Sequence, residues 1–264
     1  MHDSQMGSRH PLRILLAEDD ATSVIIVRTI LERLGYQADV AENGTEALAA
    51  LQTRDYDVIL IHVEMPHMNG LEAAREIRRL AAERRPRIIG MTAEEKDFRK
   101  YLEGGIDDCI VKPVQTEDLA AALARTPHKG TSEDRSHTPS QPAAPSEPPL
   151  LDTTALKRLK DTLGSQAEAM FPVLLEDFFR DGARLLAAAR TALEKNDTQE
   201  LRRSAHTLKS NGATFGALRL SITAKELEFL AKQGILDGAA ALIERTQQEF
   251  EKAKGFLEPY LKGV

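Results

Sequence analysis

Asp57-Val-Ile-Leu-Ile-His62-Val-Glu64-Met-Pro66-His-Met-Asn69-Gly70 is an apolar run that stops in a turn. Short continuous runs of this kind, without polar alternation, mark strands buried on both faces, the situation of a parallel sheet covered by helices. Pro66, Asn69 and Gly70 supply the turn chemistry. In open parallel sheets ligands collect at the carboxyl ends of the strands, so His62, at the exit of this strand, decides whether this half of the chain does chemistry.

Working outward, four more strands are expected at Leu12–Ala17, Gln37–Ala41, Ile88–Thr92 and Cys109–Val111. Helical periodicity fills 21–34, 44–54, 69–84, 95–104 and 115–125. Five β-α units at this spacing give an α/β domain with a five-stranded parallel sheet and helices on both faces. Its strand exits gather Glu18-Asp19-Asp20, His62, Thr92 and Lys112 on one edge.

The remainder follows a different pattern. Residues 126–150, TPHKGTSEDRSHTPSQPAAPSEPPL, contain half of the twelve prolines and almost no large apolar side chain. Such a segment buries too little surface to offset its ordering entropy and reads as a flexible tether. Beyond it, apolar positions recur at helical spacing in 153–163, 168–194, 198–212, 216–232 and 238–261, with breaks at Gly164, Asn196-Asp197 and Gly234. Amphipathic helices with short connections pack as an up-down bundle, and Asp197 with Glu200 forms a capping pattern for the middle helix. The expected organisation is a disordered N-terminus (1–11), an α/β domain (12–126), a Pro-rich linker (127–150) and an all-α domain (151–264).

Composition narrows the class. The 264 residues carry a net charge of -6 and a single cysteine, Cys109. This excludes a disulfide framework or a cysteine-based zinc site, and mild acidity without a long basic run argues against nucleic acid. No apolar run approaches the ~20 residues of a membrane span, and the first ten residues lack a secretory apolar stretch. A cytoplasmic protein with no membrane partner is expected.

Ile14-Leu-Leu-Ala-Glu18-Asp19-Asp20, Met65-Pro66-x-Met68-x-Gly70, Met91-Thr92-Ala93 and Val111-Lys112-Pro113 together resemble the receiver domain of bacterial response regulators, a flavodoxin-like fold, over nearly all of 12–125. The resemblance implies a Mg²⁺ site at Glu18 and Asp19, a phosphoryl-accepting aspartate at the third strand exit, and Thr92 and Lys112 in contact with the phosphoryl group. Here the acceptor position holds His62, and Cys109 holds the place of the aromatic switch residue. A carboxylate at this point is both nucleophile and metal ligand in phosphoryl transfer, and imidazole is a poor ligand for Mg²⁺. Asp57 cannot substitute, lying roughly 16 Å back along a strand that rises about 3.3 Å per residue. Glu64 is nearer, but the residue count that sets its direction fails where the strand gives way to the turn. His62 is read chiefly as a structural replacement pairing with Glu18 or Asp19. A transition-metal site of His62, Glu18 and Asp19 and a phosphohistidine are the other readings.

In the second half, Leu201, Ala205, Leu208 and Gly212 fall on one face of the middle helix, while Arg202, His206, Lys209, Ser210 and Ala213 share the next. From spacing alone His206 is expected to be exposed among cations, which favour the neutral, nucleophilic imidazole. Ala205-His206-Thr-Leu-Lys209-Ser210-Asn-Gly212-Ala-Thr-Phe215-Gly216-Ala217, with Glu226-Leu227-Glu228 downstream, is similar to the histidine phosphotransfer (HPt) family over about 151–262. The resemblance implies a phosphoryl group on His206, assisted by Lys209. Ser210 stands where the family often has Gly, and its hydroxyl can hydrogen-bond the imidazole or the phosphoryl group.

Together these readings describe a phosphocarrier without its own kinase domain or HPt-bound cofactor. Its partners would be receiver domains of hybrid histidine kinases or response regulators that carry their own Mg²⁺. The first domain would be a non-phosphorylatable docking or regulatory module with a possible dimer surface. The alternative is a non-phosphorylated adaptor, or an inhibitor of a histidine kinase/response-regulator pair.

Overall fold

The computed structural model describes residues 6–80, 85–93, 95–126 and 150–262. It divides into two units, Met1–Ser146 and Glu147–Val264. The expected linker, 127–150, falls outside the described residues except for Leu150.

Five parallel strands form the sheet of the first unit: β1 (Ile14–Ala17), β2 (Ala38–Ala41), β3 (Val58–His62), β4 (Arg87–Thr92) and β5 (Asp108–Val111), in the order β2-β1-β3-β4-β5. Helices α2 (Ala21–Arg33), α3 (Gly44–Thr53), α4 (Gly70–Leu80), α5 (Phe98–Glu103) and α6 (Thr116–Ala124) connect and follow them. β3 lies between β1 and β4, and Val58, Ile59, Leu60 and Ile61 are all 0% exposed. This explains its unbroken apolar run, since full burial contributes about 1.5–3 kcal/mol for each large aliphatic side chain. Ala17 pairs with both Ala41 and Ile61, His62 with Met91, and Thr92 with Val111, so the strand exits are level at one sheet edge.

Gly70 closes that edge. Its N–H donates to the Val63 carbonyl at 2.9 Å, and a Cβ at this position would lie 2.3 Å from the His62 carbonyl oxygen. Only glycine lets the start of α4 approach β3 this closely.

The N-terminus departs from expectation over the part described. Met6–Arg9 form a helical turn, α1. The Gly7 N–H donates to the Leu34 carbonyl at 2.9 Å, and the Tyr36 hydroxyl donates to the His10 carbonyl at 3.0 Å. The expected disorder of 1–11 is therefore corrected for 6–11, because backbone contact with the end of α2 satisfies polar groups that a free tail would leave to water.

The second unit is helical. α7 (Thr153–Leu163) leads through a 3₁₀ turn into α8 (Ala167–Glu194), followed by α9 (Thr198–Thr214), α10 (Leu218–Lys232) and α11 (Ala239–Leu257). α8 packs on α9, α9 on α10, α10 on α11 and α11 back on α8, giving a four-helix bundle with α7 against α8 and α9. Phe178 anchors the core, stacked on Phe215 with centroids 4.6 Å apart and edge-on to Phe250 at 5.7 Å. Asp197 accepts from the Glu200 N–H at 3.0 Å, as the capping pattern requires. Among the described residues no helix is long and apolar enough to cross a membrane.

Candidate functional site

In the first unit the level strand exits bring the expected residues into one pocket. The His62 Nδ1 lies 2.9 Å from an Asp19 carboxylate oxygen and 3.1 Å from Glu18 Oε1, while Lys112 Nζ lies 2.6 Å from Glu18 Oε2. Glu18 and His62 are buried, at 1% and 4% exposure. The pairing of His62 with both acids is thus present, and Thr92 is buried at the same edge. Asp20 takes a different part: its side chain accepts from the Ser23 N–H at 2.8 Å and caps α2.

Charge follows geometry here. Burial pushes the Glu18 carboxyl up, but the charges of His62 and Lys112 and their hydrogen bonds outweigh it and hold the group at about 2. Burial pushes the His62 imidazole down, but Glu18, with the bonds to Asp19 and Glu18, outweighs burial and the repulsion of Lys112 and carries it up to about 9. Burial and then Glu18 push the Asp20 carboxyl up. Asp57 is remote from this pocket, engaged at the other end of β3 by the Arg13 backbone N–H at 2.8 Å and by the Arg13 guanidinium. Cys109, half-buried in β5, has its thiol pushed up to about 12 by burial and then by Asp108, so it fills space and is not a reactive thiolate.

In the second unit the expected surroundings of His206, cations alone, are corrected. Its ring faces a carboxylate: Nδ1 lies 2.8 Å from Glu228 Oε1. Lys209 Nζ donates to the other oxygen, Glu228 Oε2, at 2.6 Å, so its ammonium turns to α10 instead of standing beside the imidazole in water. Burial pushes the Glu228 carboxyl up, but the hydrogen bonds and charges of His206 and then Lys209 prevail and hold it at about 2. The two helices are drawn together at this level. The Ser221 hydroxyl donates to the Lys209 carbonyl at 3.0 Å, and a Cβ at Gly212 would stand 3.1 Å from the Ser221 nitrogen. Ser210 lies one turn beyond His206, and its Oγ is buried without a hydrogen-bond partner.

Glu228 is the residue that sequence reasoning missed. It lies in the quoted Glu226-Leu227-Glu228 segment, but 22 residues separate it from His206. One local signal points to it: Leu220, Ala224, Leu227, Glu228 and Ala231 are all buried on α10, so a carboxylate occupies an apolar stripe. A charge in that position needs a partner.

This parallel sheet with an acidic edge, followed by a bundle presenting a carboxylate-oriented histidine, defines a receiver domain joined to a histidine phosphotransfer domain. Residues 14–124 match the family described as the response regulator receiver domain, and residues 173–256 match the Hpt domain. Both matches, a receiver domain and an Hpt domain, are domains of two-component phosphorelays.

Among known proteins, the chain is 27% identical over 245 residues to the aerobic respiration control sensor protein ArcB of Escherichia coli K12, covering 90% of this chain and 30% of that protein. It is 28% identical over 248 residues to the sensor histidine kinase GacS of Pseudomonas protegens, covering 92% and 26% respectively. The chain thus spans less than a third of the length of these relatives. Two solved structures from Pseudomonas aeruginosa PAO1 are also similar. One is the receiver domain of a sensor histidine kinase with magnesium in its active-site cleft (32% identity, 44% of this chain, 96% of that one, TM-score 0.41). The other is histidine-containing phosphotransfer protein B (33% identity, 44% of this chain, 97% of that one, TM-score 0.41).

Proposed function

We propose that His206 is the phosphoryl carrier of this protein, taking the group from the phosphoaspartate of a partner receiver domain and passing it to another. The observation that carries this reading is the 2.8 Å contact between His206 Nδ1 and the Glu228 carboxylate within the matched Hpt segment. The Glu228 carboxylate accepts a hydrogen bond from the Nδ1–H of the imidazole, which puts the nucleophilic lone pair on Nε2.

Nε2 then attacks phosphorus in line, the Nε2–P bond forms as the P–O bond to the aspartate breaks, and the aspartate carboxylate leaves with the electron pair. The partner's own Mg²⁺ neutralises charge on the transferring group. The His206 ring becomes cationic as the bond forms, and Glu228 already faces that charge, which is preorganised electrostatic stabilisation. Lys209, shared with Glu228, offsets the negative phosphoryl oxygens, and the buried Ser210 hydroxyl supplies a further donor.

The first domain is read as a docking or regulatory module whose third strand exit, occupied by His62, accepts no phosphoryl group. Without an aspartate there it does not drain His206 within the same chain, where a tether would make transfer efficient. Thr92 and Lys112 then serve the structure of the pocket. The protein acts as a phosphocarrier in the cytoplasm, and its partners are receiver domains of hybrid histidine kinases or response regulators.

The test is incubation of the full chain with a panel of phosphorylated receiver domains, followed by mapping of acid-labile phosphate. Label on His206, lost in His206→Gln, is the expected result. Absence of label with every donor, or label that persists in His206→Gln, overturns the reading.

A further inference from the structure

We propose that His62 takes the place of the divalent ion in the first domain, closing the acidic pocket from within so that it binds neither Mg²⁺ nor Mn²⁺ and keeps one conformation with or without them. The inference rests on the reading that position 62 accepts no phosphoryl group, and it concerns the same pocket.

The donor set does not fit Mg²⁺. That ion requires oxygen ligands in near-octahedral array and keeps several waters. The two carboxylates that would hold it, Glu18 and Asp19, converge instead on one ring nitrogen, at 3.1 and 2.9 Å. The ring contributes no oxygen and fills volume that water ligands need. The other Glu18 oxygen is taken by Lys112 at 2.6 Å, so both oxygens of that carboxylate already face nitrogen. Asp20 is committed to the start of α2 through Ser23. Two nitrogen-bearing side chains therefore neutralise an acid cluster that otherwise demands a dication.

One rival remains on the same atoms. His62, Glu18 and Asp19 each offer a ligand atom within 4.8 Å of the others, a set that suits Zn²⁺ or Mn²⁺ in the abstract. The Lys112 ammonium opposes it, because it places a positive charge on the very carboxylate that would have to bind the cation.

A domain closed in this way presents its docking surfaces independently of divalent ions and of phosphorylation. In the full chain, calorimetric titration with Mn²⁺ and with Zn²⁺ should give no saturable heat, and the melting of the first domain should be the same in millimolar Mg²⁺ as in chelator. His62→Asp should gain a one-to-one Mn²⁺ site and a Mg²⁺-dependent rise in melting temperature; His62→Ala should gain weaker Mn²⁺ binding through Glu18 and Asp19. Saturable one-to-one binding of Mn²⁺ or Zn²⁺ by the wild-type chain that is lost in Glu18→Gln overturns the proposal; binding that persists in Glu18→Gln lies outside the pocket and leaves it standing. A folded His62→Asp that binds no Mn²⁺ also overturns it, since something other than His62 would then close the pocket. Phosphate on His206 is not read in this experiment, so its outcome is separable from the carrier assignment.

Discussion

Glu228 is the residue whose replacement tests the site most sharply, because it touches His206 with one oxygen and Lys209 with the other. The hydrogen bonds and charges of these two neighbours overcome burial and hold the carboxyl at about 2 against an ordinary 4.5. A gap of that size corresponds to about 3 kcal/mol of preference for the ionised form in the folded bundle. Since the folded value lies below the unfolded one, this stability is fully present above pH 4.5 and is lost as pH falls through about 2. Glu228→Gln keeps an oxygen for the Nδ1 proton but loses the charge. A hydrogen bond to a charged acceptor contributes about 1.5–3 kcal/mol and to a neutral one about 0.5–1.5, so the variant loses on the order of 1 kcal/mol. If the loss is felt in the transition state, where the ring gains charge, transfer slows by roughly fivefold. Glu228→Ala removes the acceptor as well, and the ring loses both tautomer and orientation; the expected slowing is about 100-fold, in the range of losing one preorganised electrostatic partner. The assay is rapid-quench transfer from a radiolabelled phosphoreceiver to the full chain, with circular dichroism confirming the fold and urea titration giving stability. A folded Glu228→Ala that accepts phosphate at the wild-type rate would refute the argument that Glu228 orients and charges His206.

Other expected outcomes follow from the same geometry. The His62 imidazole is raised from 6.5 to about 9, so the stability it confers is complete below pH 6.5 and disappears as pH rises through about 9. Urea melts of the first-domain transition should show that loss, and His62→Gln should flatten it; an equal slope in both proteins counts against the pairing. Gly70→Ala, whose Cβ would meet the His62 carbonyl oxygen at 2.3 Å, should destabilise the first domain by roughly 1–3 kcal/mol. An unchanged melting temperature would show that the turn accommodates a side chain. Phe178→Ala, emptying the centre of an aromatic cluster with Phe215 and Phe250, should cost about 3–5 kcal/mol in the second domain and leave the first-domain transition in place.

What the sequence made legible was whatever its own periodicity controls. The five strands were visible because a strand buried on both faces has no room for polar alternation, and parallel topology then levels their exits, gathering Glu18, Asp19, His62, Thr92 and Lys112 without any distance being known. The helices of the second domain were visible for the same reason. The environment of His206 was not, because helical spacing assigns a residue to a face but says nothing of what the neighbouring helix brings to it. α10 delivers Glu228 to that face, and the ammonium of Lys209 follows the carboxylate. The helical turn at Met6–Arg9 was hidden for a similar reason: a Cβ at Gly7 would lie 2.0 Å from the Gly35 carbonyl oxygen, and a contact that depends on the absence of a side chain leaves little pattern to read.

The two histidines are built on one plan. In each domain a buried glutamate takes an imidazole Nδ1 on one oxygen and a lysine ammonium on the other: Glu18 with His62 and Lys112, Glu228 with His206 and Lys209. His62 carries a second acid, Asp19, at 2.9 Å from the same Nδ1. One carboxylate orients a ring and leaves it to act as a nucleophile. Two carboxylates on the same nitrogen hold the ring as a counter-charge, and its reactivity is spent on neutralising them. Asp19→Asn should therefore loosen His62 toward the His206 condition without restoring phosphoryl acceptance, because the third strand exit still offers no carboxylate as nucleophile and metal ligand. Labelling Asp19→Asn/His206→Gln with the donor panel checks this: phosphate appearing at His62 would mean that the second carboxylate, and not the loss of the aspartate, is what silences the first domain.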